Sequence, residues 1–136
     1  MASKLNPYLH FRDNAREALE FYQHVLGGEL TINTFGSFGT EGPLADKVMH
    51  GQLDTPAGFT LMCSDTPPEM EYNPGGSFTV SLSGDDGDEL RGYFEKLSEG
   101  GSVHTPLQKM VWGDEFGALD DKFGISWLVN IAGTSS

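Results

Sequence analysis

AREALEFYQHVLGG, residues 15–28, and ELRGYFEKLSEGG, residues 89–101, are the two stretches on which the reading of the fold turns. In the first, Ala18, Leu19, Tyr22, Val25 and Leu26 return at helical spacing and form one apolar stripe. Gly27 and Gly28 end it, because glycine accepts the left-handed conformation in which helices stop. Asp13 and Asn14 are its candidate N-caps. In the second, Leu90, Tyr93, Phe94 and Leu97 make the stripe, and Gly100 and Gly101 end it. Asp85, Asp86, Asp88 and Glu89 place negative charge where the exposed N–H groups and the dipole of a helix start favour it. Phe21 stands six residues before Gly27, as Phe94 does before Gly100, although other echoes between the halves are faint.

Outward from each helix the same elements recur. A short strand at 6–11 precedes the first helix, with Pro7 tolerated at its beginning. Mixed apolar and β-branched residues at 29–35 read as a strand, followed by a Gly, Ser and Pro-rich loop to about residue 45. Strands at 48–54 and 59–64 flank the turn Thr55-Pro56-Ala57-Gly58. In the second half, residues 77–84 alternate Phe78, Val80 and Leu82 with small polar residues, and three further strands fall at 102–108, 116–121 and 126–131. The expectation is an α+β fold of two βαβββ modules, at about 6–65 and 77–132, joined by a Pro/Gly-rich linker at about 66–76 within a single domain, 1–136. A one-off sandwich of eight strands is the competing arrangement.

Composition narrows the function. The chain has 136 residues, 38% hydrophobic and 11% aromatic, which suits one buried core and does not suit a disordered tail. Its net charge of −12, from 8 Lys+Arg against 20 Asp+Glu, argues against nucleic acid and anionic membrane as partners, since phosphate binding draws its affinity from basic side chains releasing counterions. The scattered acids read as a solvated, self-repelling surface. Cys63 is the only cysteine, which excludes an intramolecular disulfide and a zinc site built from several thiolates. No apolar run in residues 1–6 resembles a signal peptide and no stretch approaches membrane-spanning length, so a cytoplasmic protein is expected.

Catalytic motifs are sparse. There is no Gly-rich phosphate loop opening onto a helix, no Gly-x-Ser-x-Gly elbow, no His-Glu-x-x-His helix and no Cys-x-x-Cys pair. His24 lies on the first helix off its stripe, where exposure is expected, whereas His10, His50 and His104 fall in separate strands. Strands can gather distant residues on one face, so His10 and His50 with an acid are a metal arrangement left open, although their spacing gives it no support. Cys63 reads as a buried, inert thiol with no base beside it in sequence. The stretch MVWGDEFG, residues 110–117, is the most unusual. Structurally it is a tight turn capped by Trp112; functionally, Trp112 and Phe116 wall an apolar pocket while Asp114 orients a polar ligand group. The residues alone leave both readings open.

Pro7-Tyr8-Leu9-x-Phe11, followed by Ala18-x-x-Phe21-Tyr22-x-x-Val25-Leu26-Gly27-Gly28, resembles the opening of the vicinal-oxygen-chelate superfamily of glyoxalase, bleomycin-resistance and dioxygenase proteins. The closer similarity is to its PhnB-like branch. Val48-Met49-His50, Leu61-Met62-x-Ser64-Asp65 and Trp112-Gly113-Asp114-x-Phe116-Gly117-x-x-x-Asp121-x-Phe123-Gly124-x-x-Trp127 extend the resemblance over nearly the whole chain, the last being the most specific. It implies paired modules whose mixed sheet curls into a cup, commonly completed in a homodimer. Metal-dependent relatives carry His or Glu on the inner strands; matching the motifs puts those positions near Pro7, Ser77, Met62 and Leu128, none of which ligates a divalent ion as His or Glu does.

The resulting expectation is a cytoplasmic, homodimeric binder of a small apolar or aromatic molecule, with no metal and no cofactor, lined by Trp112, Phe116, Asp114 and His50. One alternative is a glyoxalase-like lyase or isomerase, or a dioxygenase, with unconventional ligands such as His10 or His50. The other is an acidic protein-interaction module.

Overall fold

The computed structural model of the chain describes residues 6–67 and 78–133. The chain divides into two compact units, Met1–Gly75 and Gly76–Ser136. The first contains β1 (Tyr8–Phe11), α1 (Ala15–Leu26), β2 (Glu29–Thr34), a one-turn 3₁₀ segment (Gly36–Phe38), β3 (Val48–Asp54) and β4 (Thr60–Asp65). The second contains β5 (Val80–Gly84), α2 (Gly87–Ser98), β6 (Ser102–Lys109), β7 (Glu115–Asp120) and β8 (Ser126–Ile131). Each unit is a four-stranded mixed sheet with one helix, ordered β1-β4-β3-β2 and β5-β8-β7-β6. The first strand of each runs parallel to the last, and the other pairs are antiparallel. The twofold βαβββ order read from the sequence is therefore the order found. Residues 68–76 of the expected linker lie outside the described residues.

In the first unit, Ala18, Leu19, Tyr22 and Val25 are buried where α1 packs on its sheet. Gly51 on β3 leaves the space that the end of the Leu19 side chain occupies, and a methyl group there would collide with it. Leu53, Leu61 and Cys63 are buried on the same side, each such side chain contributing about 1.5–3 kcal/mol for the larger aliphatics. In the second unit Leu90, Tyr93, Phe94 and Leu97 repeat the buried helical pattern of Ala18, Phe21, Tyr22 and Val25. Phe21 thus corresponds to Tyr93, one place away from the Phe94 that the sequence spacing suggested. An extended C-cap residue, Glu99, absorbs the difference, so that Gly28 and Gly101 regain the same place. At both, a Cβ would strike the carbonyl oxygen of the residue ending the adjacent strand, Asp54 or Asp120, which is why glycine stands there.

The closest internal repetition is in the β3–β4 and β7–β8 hairpins. Thr55 donates its backbone N–H to the Phe59 carbonyl (3.0 Å), and Asp121 donates to that of Ile125 (2.9 Å). The Thr60 hydroxyl donates to Asp54 (3.1 Å), as Ser126 does to Asp120 (2.7 Å). Asp121 goes further, accepting from the Phe123 and Ile125 backbone N–H groups and, through its other oxygen, from the Trp127 indole (2.9 Å). This explains the Asp121-x-Phe123-Gly124-x-x-Trp127 motif: the carboxylate satisfies a buried indole and a tight turn at once.

Several local expectations change. The side chains of Asp13 and Asn14 do not cap α1. The Ala15 N–H instead donates to buried Asp65 at the end of β4 (2.9 Å), whose second oxygen accepts from the Val48 N–H (2.9 Å). A carboxylate fifty residues away in sequence thus does the work of a local cap, while Asp86 caps α2 conventionally through the Glu89 N–H (3.1 Å). Phe35 leaves β2 to open the 3₁₀ turn, and Phe78 precedes β5 in an exposed position instead of joining the strand's apolar alternation.

Candidate functional site

Side chains alternate across a strand, so the residues opposite the helix in each unit follow from register. In the first unit, Gly51, Leu53, Leu61 and Cys63 face α1; Tyr8, His10, His50, Gln52, Met62 and Ser64 take the helix-free face. His10 pairs with Ser64 across β1–β4, and His50 with Asn33 across β2–β3. The Tyr8 ring stacks on His10, with centroids 5.1 Å apart and planes at 27°, and lies 5.8 Å from the His50 ring. A hydrogen bond joins the Tyr8 hydroxyl to Nδ1 of His50 (3.3 Å), and a second joins the Ser64 hydroxyl to Nδ1 of His10 (3.4 Å). Tyr8 is 41% exposed, so this cluster faces outward from its sheet.

The helix-free face of the second unit carries Phe116, Ala118, Leu128 and Asn130. Trp112 lies edge-on to Phe116, ring centroids 6.4 Å apart at 63°, yet remains 62% exposed. The turn that presents it is closed by the Met110 N–H donating to the Asp114 carbonyl (2.8 Å) and the Gly113 N–H to the Met110 carbonyl (3.0 Å). Asp114 accepts from the Gly133 N–H (2.8 Å) and the Asn130 amide (3.1 Å). Those two donors, the Gly133 N–H first, hold its carboxyl below the ordinary carboxylate range. The turn reading and the aromatic-wall reading of residues 110–117 are thus compatible in one geometry.

Of the four residues singled out for ligand contact, Trp112, Phe116 and Asp114 come together in the second unit. His50 belongs to the first. Register makes His50 the counterpart of Phe116: Gly51 pairs with Cys63 as Gly117 pairs with Val129, and His50 and Phe116 precede them. Tyr8 and Ser64 were not singled out for ligand contact. Tyr8 stood inside a quoted motif, but only the parallel pairing of β1 with β4 shows which neighbours it gains.

His104 and Asp120 form a separate exposed pair (2.8 Å). His104 is the extra residue of a bulge in β6, between the Val103–Leu119 and Thr105–Ala118 pairs, and bulges re-aim side chains. The Asp120 carboxyl is lowered by the Ser126 hydroxyl first and by His104 second.

Met62 and Leu128 occupy equivalent places, opposite Tyr8 and Ser81 on the parallel neighbour strands. The same pairing makes Val80 the counterpart of Pro7, while Ser77 lies outside the described residues. A thioether, two alkyl side chains and a proline do not fit a hard or borderline divalent ion. Among the described residues no three His, Cys, Asp or Glu side chains converge as a metal-binding group. No helix among them is long and apolar enough to cross a membrane.

A family model described as 3-demethylubiquinone-9 3-methyltransferase matches residues 3–130. Among solved structures, protein PA1353 from Pseudomonas aeruginosa is 37% identical, with a TM-score of 0.86 over 96% of this chain and 98% of that one. A PhnB protein from Bacillus cereus is 24% identical, with a TM-score of 0.68 over 96% and 100% of the respective chains. A glyoxylase/bleomycin resistance protein/dioxygenase domain from Frankia sp. EAN1pec shares the fold at 16% identity, with a TM-score of 0.67 over 98% and 99%.

Proposed function

This chain belongs to the family described as 3-demethylubiquinone-9 3-methyltransferase, PhnB-like proteins with the glyoxalase/bleomycin-resistance/dioxygenase fold, and on that footing we propose that it binds a small apolar or aromatic molecule as a cytoplasmic homodimer. The observation that carries this reading is Trp112, a large indole left 62% exposed and edge-on to Phe116 on a turn braced by Asp114. Exposed aromatic surface held in a fixed geometry is costly in water and favours an aromatic guest. Asp114 orients the turn and Phe116 supplies the floor, while His50 is a polar ligand contact on the first unit's own helix-free face. The family description names a demethylated ubiquinone, a ring compound of the class that such surfaces suit.

A thermal-shift series with small aromatic probes tests the proposal. A binder present at about ten times its Kd should raise the Tm by about 4 °C. Trp112→Ala, a change at an exposed position, should reduce that rise by more than half while leaving the unliganded Tm within about 1 °C. A full series without a shift in the wild type would sink the reading. Light scattering at micromolar concentration should give twice the 14.8 kDa chain mass; a single chain mass would remove the dimer from it.

The gathering of His10 and His50 beside Tyr8 favours one alternative, a lyase, isomerase or dioxygenase using unconventional ligands. Stoichiometric Zn, Ni, Mn or Fe in protein purified without chelator, lost on His50→Ala, would decide for it.

A further inference from the structure

We infer that the second unit by itself selects an aromatic ligand with a ring N–H, a nitrogen heteroaromatic of the pyrrole type, through the side-chain carbonyl of Asn130 beside Phe116. This rests on the aromatic-ligand reading above. Asn130 and Phe116 are paired across β7 and β8, so their side chains are neighbours on the helix-free face. The Asn130 Nδ2 donates to Asp114 Oδ2 (3.1 Å), while Asp114 Oδ1 accepts from the Gly133 N–H (2.8 Å). Which end of a carboxamide is nitrogen follows from its partners, and here the partner leaves one choice. An ionised carboxylate only accepts. The Gly133 N–H first, and the Asn130 amide second, hold the Asp114 carboxyl below the ordinary range, so it is ionised at neutral pH. The amide nitrogen therefore faces Asp114, and the carbonyl oxygen, Oδ1, takes the other end.

Among the described residues none donates to that oxygen, which stands as a fixed acceptor at the edge of the aromatic wall. Next along the same face come Ala118 and Leu128, paired with each other and half-buried like Phe116 and Asn130. The small Ala118 beside the large Phe116 leaves an apolar floor on which a ring can lie with its edge toward Asn130. A pyrrole-type N–H lies in the plane of its ring, donates, and carries no lone pair that needs a partner. It answers a lone acceptor. An ether oxygen at the same ring position only accepts, and would set two acceptors against each other. Because Asp114 holds the amide before the guest arrives, the ordering cost of binding is reduced. The first unit has no equivalent: Ser64 stands where Asn130 stands, and its hydroxyl, joined to His10, is free to donate or accept.

The experiment titrates indole and benzofuran, which match in ring and size and differ in N–H against O, into the isotope-labelled full chain by NMR. The wild type should bind indole about fivefold more tightly, the size of one net hydrogen bond. The Asn130 amide and Trp112 indole signals should be among those that move, which locates the guest on the second unit. Asn130→Leu, which keeps a branched side chain and removes the carboxamide, should bring the ratio to within about twofold of unity. It also takes a donor from Asp114 and so weakens both probes alike; the ratio is the quantity that reports the carbonyl. Should Asn130→Leu misfold, Asn130→Ala decides in its place. Equal affinities in the wild type, a preference for benzofuran, binding that leaves the Asn130 and Trp112 signals still, or an indole preference that survives loss of the carboxamide overturns the Asn130 assignment and leaves the aromatic reading standing. Binding of neither probe removes the aromatic reading, and the Asn130 assignment falls with it.

Discussion

Thr55 and Asp121 hold the same turn with different chemistry. Both donate a backbone N–H across it, and the side chain of each accepts from the backbone N–H of the residue four places on. Asp121 has a second oxygen, which holds the Trp127 indole; Leu61 fills the corresponding place in the first unit and needs no partner. The helix-free faces diverge far more, with Tyr8, His10 and His50 against Ser81, Ser83 and Phe116. Positions that close turns and seat helices keep their physical task through changes of residue, whereas the outward faces have no common task to keep. The repeat preserves a scaffold and leaves each surface free to specialise.

That contrast can be broken by experiment. Asp121→Ala removes the acceptor for a buried indole and two turn amides, so a loss of about 3 kcal/mol is expected, against about 1 kcal/mol for Thr55→Ala. Urea midpoints measure both, and equal losses would deny Asp121 its additional role. Gly117→Ala should cost about 2 kcal/mol, because a methyl group would meet the Phe94 ring at 2.7 Å and the Leu107 backbone at 2.9 Å. Gly51→Ala should cost less, its obstacle being the rotatable end of Leu19.

Acid sharpens the comparison further. Asp114, Glu115 and Asp120 are all lowered, by the Gly133 N–H, Arg91 and the Ser126 hydroxyl respectively as first causes. A carboxyl lowered on folding adds stability above its unfolded pKa, and that stability is lost as pH falls through the folded value. Asp114→Asn should therefore narrow the difference between urea midpoints at about pH 7 and pH 3. The smallest effect concerns Tyr93, the counterpart of Phe21. Burial first, and the Glu89 hydrogen bond second, push its phenol up to about 12. Difference titration at 295 nm against Tyr93→Phe should find it there, and Glu89→Gln should bring it part of the way down.

The helices and the order of strands were legible because their signals are local: an apolar stripe, a Gly-Gly stop, a run of acids before Leu90. The cap of α1 was not, because Asp65 reaches Ala15 only once β1 and β4 pair. The aromatic turn at Trp112 was legible as an oddity of composition, but the bond from Gly133 that braces it joins residues nineteen apart. Tyr8, His10 and His50 illustrate the limit most clearly. Two were noticed as histidines, yet their assembly around Tyr8 depends on strand order and on which face each side chain takes, and a shift of one residue would scatter them.

Glu99 and the bulged His104 put the two copies out of step, while residues 51–63 and 117–129 match one for one. A hybrid gene joining the first half to the second could be spliced inside those hairpins without disturbing either sheet. Cut instead just past the helix, with the junction aligned on helical residues, it would gain or drop one amino acid. The incoming strand would then be inverted, its greasy side turned to water and its polar side pressed against the helix.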